Sequence, residues 1–393
     1  MNFALLGDDL RALPFARAVI ADRTHRLQCT IGAPACHAAL RPNHPRLEVG
    51  ASWEELLADK YLDAVIILGA DDDVMRGARQ LAATGKPLLL FPTPEQQSTF
   101  VYELTLIDAE SPAVLFPLLP WRGRTLSRHL RDALNQQALG GLHHVRLERR
   151  ILPEPPGGLL SNGVVAAAFF EDLDLLRYLG GDYDQVAASR IGPEQGGVSM
   201  ATVTLGGRKL PQAVWSVAVG REAPAWQMTI SGDCGTATLT TAGDDTRYAL
   251  DIRASGEPIS LATADDDWGA ELLSRFEQQI AGKKVAPTWT DLTRSFDVLD
   301  GVERSVRRRR TIELYFETPS ERSQFKSQMT AAGCSLLLLT LAGVVCFLMA
   351  ASMFRFNETL LKVAVVLLFL PLGLFLGLQL LFFLTKPRAA DDS

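Results

Sequence analysis

Two runs without a single charged side chain close this 393-residue chain, residues 327–354 and residues 363–385. A hydrocarbon layer about 30 Å thick takes roughly 20 helical residues at about 1.5 Å each. Both runs meet that length, and core helices of water-soluble domains rarely do so without a charge. The chain is therefore expected to end in a transmembrane helical hairpin, with spans at 329–353 and 363–385. Residues 354–362 are too few to hold more than a turn. Arg304, Arg307, Arg308, Arg309, Arg310, Arg322 and Lys326 precede the first span and Lys386 and Arg388 follow the second, against only Arg355 and Lys362 between them. The positive-inside bias then places both flanks in the cytoplasm. Residues 317–328 become a juxtamembrane linker and 386–393 a cytoplasmic tail, with the lipid bilayer of the inner (cytoplasmic) membrane as the partner. Gly373 and Gly377 stand at G-x-x-x-G spacing, which lets two helices pack closely. Neither span carries an ionisable group, so the hairpin reads as an anchor or interaction element rather than an ion path.

Ahead of that segment the sequence has a folded protein's composition. With 47% apolar and 21% charged residues, disordered and collagen-like classes are excluded. A formal charge of −6 argues against a nucleic-acid partner, whose binding footprint is basic. The five cysteines include no C-x-x-C pair, so neither a disulfide framework nor a zinc site is indicated, and a reducing compartment fits. The opening MNFALLGDDLRALPF lacks the basic region and long apolar stretch of a secretory leader, so the body is expected to be cytoplasmic.

Short apolar blocks at 3–6, 27–31, 64–68 and 87–91 alternate with helical stretches at 10–21 and 74–84. That is the pattern of beta-alpha-beta units around a parallel sheet. AVIIL and PLLLF are apolar throughout, as strands covered by helices on both faces must be. The pattern predicts an α/β, Rossmann-like doubly wound domain over 1–121. Beyond it the spacing predicts a helix over 125–135, then strands over 143–151, 185–191, 199–205, 213–219, 226–230, 236–240 and 248–252, then helices over 268–281 and 291–307. So dense a run of strands predicts a second α/β domain over 122–316 with a large antiparallel sheet. Trp215, Val217 and Val219 alternate along AVWSVAVG and are expected to form its exposed apolar face. Such a face suits a homo-oligomer or a subunit of a membrane protein complex.

This order of elements and five strings resemble the Gfo/Idh/MocA family of NAD(P)-dependent oxidoreductases over about residues 1–316. The strings are EELLADKYLDAVIIL, ALGGLHHVRLERR, EDLDLLRYLGGD, WQMTISGDCGTATL and DLTRSFDVLDGVERSV. The resemblance implies a Rossmann domain followed by an α/β substrate domain, and it implies places for cofactor and catalysis. At the pyrophosphate turn the family's G-x-G-x-x-G falls on Gly7, Asp9 and Ala12, of which only the first is glycine. The second glycine normally lets the backbone approach the pyrophosphate, and Asp9 instead sets a charged side chain there. Asp8 or Asp9 can also cap the helix end that a phosphate would use. The second strand ends at Ile31 and Gly32 without the acid that would hold ribose hydroxyls, and Ala70, followed by Asp71, Asp72 and Asp73, stands where the family has a small neutral turn. The catalytic Glu-Lys-Pro motif falls at Pro92 and Thr93, between Phe91 and Pro94, with no lysine, and Lys86 lies at the strand's opposite end. The family's D-x-x-x-H pair falls on Ala167 and Glu171, and only the next acid, Asp174, is kept. Histidine titrates near neutrality, which glutamate does only when burial raises it.

These replacements predict a catalytically degenerate body, acting as a binding, scaffolding or structural subunit at the cytoplasmic face of a membrane, with no cofactor and no metal. The alternative is an NAD(P)-dependent oxidoreductase acting on a sugar, polyol or related metabolite, with Glu171 as its candidate base. No G-x-S-x-G, H-E-x-x-H or Walker sequence offers a third chemistry.

Overall fold

The structure is a computed structural model that describes residues 1–110, 113–155, 157–193, 196–220, 225–241, 247–254, 258–263 and 268–314, with 340, 343, 344 and 349. The two expected spans lie almost wholly outside the described residues, among which no helix is long and apolar enough to cross a membrane. The chain divides into two units, Met1–Phe316 and Glu317–Ser393, and the elements labelled below belong to the first.

The first sheet holds β1 (Asn2–Leu6), β2 (Arg26–Ile31), β3 (Glu48–Val49), β4 (Ala64–Ile67), β5 (Leu88–Leu90) and β6 (Leu115–Pro117). Its order is β3-β2-β1-β4-β5-β6 with every pair parallel. The connections are α1 (Leu13–Ala21), α2 (Pro34–Leu40), α3 (Glu54–Ala58), α4 (Asp72–Ala83) and α5 (Gln97–Glu110). This is the doubly wound order, in which the chain direction switches between β1 and β4 and leaves a crevice at the strands' carboxyl ends.

Past α6 (Pro120–Gly123) and α7 (Thr125–Asn135) the chain enters a second sheet through β7 (Leu142–Ile151) and crosses it by α8 (Asn162–Gly180). Seven strands follow: β8 (Gln185–Ile191), β9 (Met200–Gly206), β10 (Gln212–Val219), β11 (Ala225–Gly232), β12 (Gly235–Thr241), β13 (Tyr248–Arg253) and β14 (Ile259–Thr263). After α9 (Trp268–Ile280) and α10 (Trp289–Arg308), β15 (Ile312–Glu313) closes the edge, in the order β14-β13-β12-β11-β7-β10-β9-β8-β15. The expected antiparallel sheet needs one correction. β7 and β10 run parallel, with Leu147 beside Trp215, because α8 and the β8–β9 pair form a crossover between them.

Period-two alternation sorts each strand between two cores. In β1, Ala4 and Leu6 join Val65, Ile67, Leu88 and Leu90 against Val74 and Leu81 of α4 and Phe100 of α5. Phe3 and Leu5 point the other way, with Ala64, Ile66 and Leu89, onto Phe15 and Val19 of α1. That second face is completed from far along the chain: Phe276 of α9 meets Phe3 and Phe116 at centroid distances of 6.1 and 5.7 Å. Each such fully buried side chain stabilises by roughly 1.5–3 kcal/mol. In the second sheet Val145, Leu147, Trp215, Val217, Met228, Ile230, Leu239 and Leu250 are all buried. Trp215 packs edge-on against Phe169 of α8, 5.1 Å between centroids. The expectation of an exposed Trp215 and Val217 is thus corrected, since both are 0% exposed. Alternation shows which residues share a side, not which side a helix covers. The opposite face of β10 carries Val214, Ser216 and Ala218, all half-buried.

Candidate functional site

The chain leaves β1 through Gly7, whose φ of +91° suits glycine, and a methyl group there would stand 1.8 Å from the carbonyl oxygen of Leu68. Asp9 follows in extended conformation and caps the short 3-10 turn Leu10–Ala12. Its carboxylate accepts the backbone N–H of Arg11 at 3.0 Å and the guanidinium of Arg11 at 2.7 Å. Asp8 reaches across to α2, accepting the N–H groups of Ala35 at 2.8 Å and Cys36 at 2.9 Å. Burial raises the Asp8 pKa, but these amides together outweigh it and hold the carboxyl below its usual range. The helix starts after β1 and β2, ready anion sites in such a fold, are therefore filled by the chain's own carboxylates. Ala12 is buried behind the turn, and Ala70 is half-buried just beyond the end of β4. The neighbouring acids serve α4: Asp72 and Asp73 sit in its first turn, and Asp73 accepts the Trp53 indole N–H at 3.2 Å.

A cavity of about 360 Å³ lies between the two sheets, in the range of small-molecule sites. Its wall includes Arg11 after β1 and Phe91, Pro92 and Pro94 after β5, the crevice where open α/β sheets take ligands. Pro92 faces the cavity, whereas Thr93 is buried and donates its N–H to the Gln96 side-chain oxygen at 3.2 Å. Gln96 in turn donates to the carbonyls of Gly69 at 2.8 Å and Phe91 at 3.1 Å, tying the ends of β4 and β5 together. This corner therefore presents proline and aromatic surface instead of an amine.

The far wall comes from α8 and the second sheet. Ser161 caps α8 by accepting the Val164 N–H at 3.2 Å. Ala167 is half-buried, and Glu171 is exposed and paired with Arg149 at 3.1 Å. Asp174 is buried in a triad: Arg122 donates to it through Nε at 3.0 Å and through Nη2 at 2.8 Å, and also reaches Asp291 at 3.0 Å. That triad joins α6, α8 and α10, so the acid retained from the family motif works here as a tie between elements.

The sequence motifs pass over the residue at the centre of this wall. Asp172 is 0% exposed and accepts the indole N–H groups of Trp215 and Trp226, each at 2.8 Å, with Arg149 at 3.4 Å. Burial pushes its carboxyl up to about 6 against the pull of Arg149 and the two indoles, and nearby Glu171 adds to the rise. Trp226 stacks on Trp121 at 4.9 Å, and Tyr248 stands edge-on to Trp121 at 5.4 Å. Arg124 lies over Trp121 at 4.7 Å and over Tyr248 at 4.2 Å. One signal for this cluster was present: Val145, Leu147 and Arg149 share one side of β7, and a charge on a core-facing strand position calls for a buried partner. Among the described residues no three His, Cys, Asp or Glu side chains cluster as metal ligands do.

No family model and no curated protein matches this sequence. Solved structures do. An oxidoreductase from Agrobacterium radiobacter, in complex with NAD+, L-tartaric acid and magnesium, superposes with a TM-score of 0.66 at 15% identity, covering 80% of this chain and 98% of its own. The aldose-aldose oxidoreductase of Caulobacter crescentus, complexed with glycerol, gives 0.65 at 15% identity over 80% of this chain and 99% of its own. The chain shares the two-sheet α/β fold of these two oxidoreductases. At these identities the likeness is one of fold, and the site has to be judged on its own residues. Two of those residues depart from what a dinucleotide in the fold's usual pose would call for. Its pyrophosphate would meet the Asp9 carboxylate, and no lysine stands between Phe91 and Pro94.

Proposed function

We propose that the body binds a small hydroxylated metabolite of the sugar or polyol class in the cleft between its sheets, without the hydride chemistry of its fold relatives. The observation that carries this reading is Asp9, whose carboxylate takes the Arg11 N–H in the first turn, where a cofactor's pyrophosphate would need backbone donors, with Asp8 beside it engaged on the amides of Ala35 and Cys36. The cleft beside them keeps an aromatic wall for the C–H faces of a sugar and the exposed Glu171 carboxylate for its hydroxyls. The uncharged runs and their flanking arginines extend the proposal to place: the body is held at the cytoplasmic face of a membrane.

A second reading, an NAD(P)-dependent oxidoreductase for a sugar or polyol, is favoured by the fold relatives, one of which holds NAD+ and another glycerol. Calorimetric titration of the full-length protein with NADH and NADPH separates the two. The first reading expects no saturable heat below about 1 mM. Low-micromolar binding of either dinucleotide would overturn it in favour of the oxidoreductase. Asp9→Gly alone is expected to recover little, because Asp8 still fills the start of α2 and the lysine is still missing.

A further inference from the structure

Three guanidinium groups and three carboxylates stand on the wall of the cleft. Arg11 is paired with Asp9 at 2.7 Å, Arg149 with Glu171 at 3.1 Å and Asp172 at 3.4 Å, and Asp174 with Arg122 at 2.8 Å. Arg124 differs from all of these. Among the described residues it has no carboxylate partner, and its Nε is buried with no acceptor. What holds it is stacking, over Trp121 at 4.7 Å and Tyr248 at 4.2 Å. A guanidinium held by cation–π contact still has N–H donors that a planar acceptor can take. A buried donor left without an acceptor is costly, and aromatic surroundings with little water strengthen any charge that meets it.

We propose that the ligand of this cleft is a hydroxylated carboxylic acid, of the sugar-acid or polyhydroxy-acid class, whose carboxylate is received by the edge of Arg124. This rests on the reading of the cleft as a small-metabolite site and names the chemistry of its occupant. A planar carboxylate matches the guanidinium fork, which a neutral hydroxyl does not. A phosphate dianion is disfavoured, because only one cation on the wall is uncommitted and Glu171 and Asp172 stand on the same wall.

The test uses the full-length protein and its tryptophan fluorescence, to which three of the six tryptophans, Trp121, Trp226 and Trp268, contribute from the wall of the cleft. The probes are gluconate, sorbitol and sorbitol 6-phosphate, which share a six-carbon polyhydroxylated chain. Gluconate is expected to bind at least about tenfold more tightly than sorbitol, the worth of one charge-assisted bond. Arg124→Gln should bring that ratio near one, the gluconate constant weakening about tenfold more than the sorbitol constant. Equal binding of gluconate and sorbitol by the wild type would overturn the carboxylate and leave the polyol cleft standing. Tighter binding of sorbitol 6-phosphate than gluconate would overturn the preference for a carboxylate. A gluconate preference that survives Arg124→Gln would overturn Arg124 as its receiver. Absence of saturation by all three would overturn the reading of the cleft itself.

Discussion

The indole N–H of Trp226 donates to the buried carboxylate of Asp172 at 2.8 Å, while the ring of Trp226 stacks on Trp121 at 4.9 Å. One contact is core and the other is cleft, so the position of the aromatic wall depends on a carboxylate that no ligand need touch. Trp215 binds the second oxygen of Asp172 and fixes the carboxylate's plane from the sheet side.

Replacing Asp172 by leucine would leave Arg149 and two indole N–H groups without their acceptor. We expect a loss of about 3–5 kcal/mol, the usual result of breaking a buried ion pair from one side. Asp172→Asn keeps one acceptor oxygen, and its expected cost is about 1–3 kcal/mol. Denaturant unfolding of the two variants measures both, and equal costs would show that the indoles do not depend on this acceptor.

Asp172 and Asp8 should respond to pH in opposite senses. The folded pKa of Asp172 is raised from 3.8 to about 6, so the folded state holds that proton more tightly than the unfolded chain does. Its contribution is complete below 3.8 and fades as pH rises through about 6. Asp8 is held below its usual 3.8, so its contribution is present above that pH and is lost as pH falls further. Measured against Asp172→Asn, the wild type's stability advantage should therefore shrink from pH 4 to 7. Measured against Asp8→Asn, it should grow as pH rises from 3 to 5. Parallel trends would refute the assignment.

The element pattern was legible because it is local. AVIIL is apolar at every position, and β4 within it is buried on both faces. The helix expected over 125–135 coincides with α7. The resemblance led to the first turn, and Asp9 does cap the 3-10 turn there. The long-range facts were not legible. Nothing in the spacing of Asp8 foretells that it caps a helix 27 residues further on. Nor could alternation reveal that α8 covers the Trp215 side of its sheet. Asp172 sits one residue beyond the position where the family's histidine falls, and its importance comes from indoles 43 and 54 residues away.

Arg122, Asp174 and Asp291 supply a prediction that separates fold from site. Burial lowers the Arg122 pKa, but Asp174 and Asp291 outweigh it, and the guanidinium stays charged. Arg122→Met would leave two carboxylates facing each other near the domain interior, at an expected cost of about 3–5 kcal/mol. Asp174→Asn should lower thermal stability while leaving cleft affinity for a polyol within about twofold, since Asp174 is occupied by Arg122. A large loss of affinity with unchanged stability would return Asp174 to the binding site proper.

The end of the chain gives the remaining test, because the two uncharged runs share one asymmetry. Seven basic residues from Arg304 to Lys326 stand before the first, Lys386 and Arg388 stand after the second, and Arg355 and Lys362 alone lie between. Moving a cluster of arginines through hydrocarbon is far costlier than moving two isolated cations, so insertion should leave the body and the tail on the cytoplasmic side. With Cys29, Cys36, Cys234, Cys334 and Cys346 replaced by serine or alanine, a single cysteine at Asn357 should react with an impermeant thiol reagent added outside intact cells. A cysteine placed at Ser393 should react only after the membrane is opened. Labelling of both positions from the same side would exclude a hairpin, since 354–362 and the tail would then lie on one face of the bilayer.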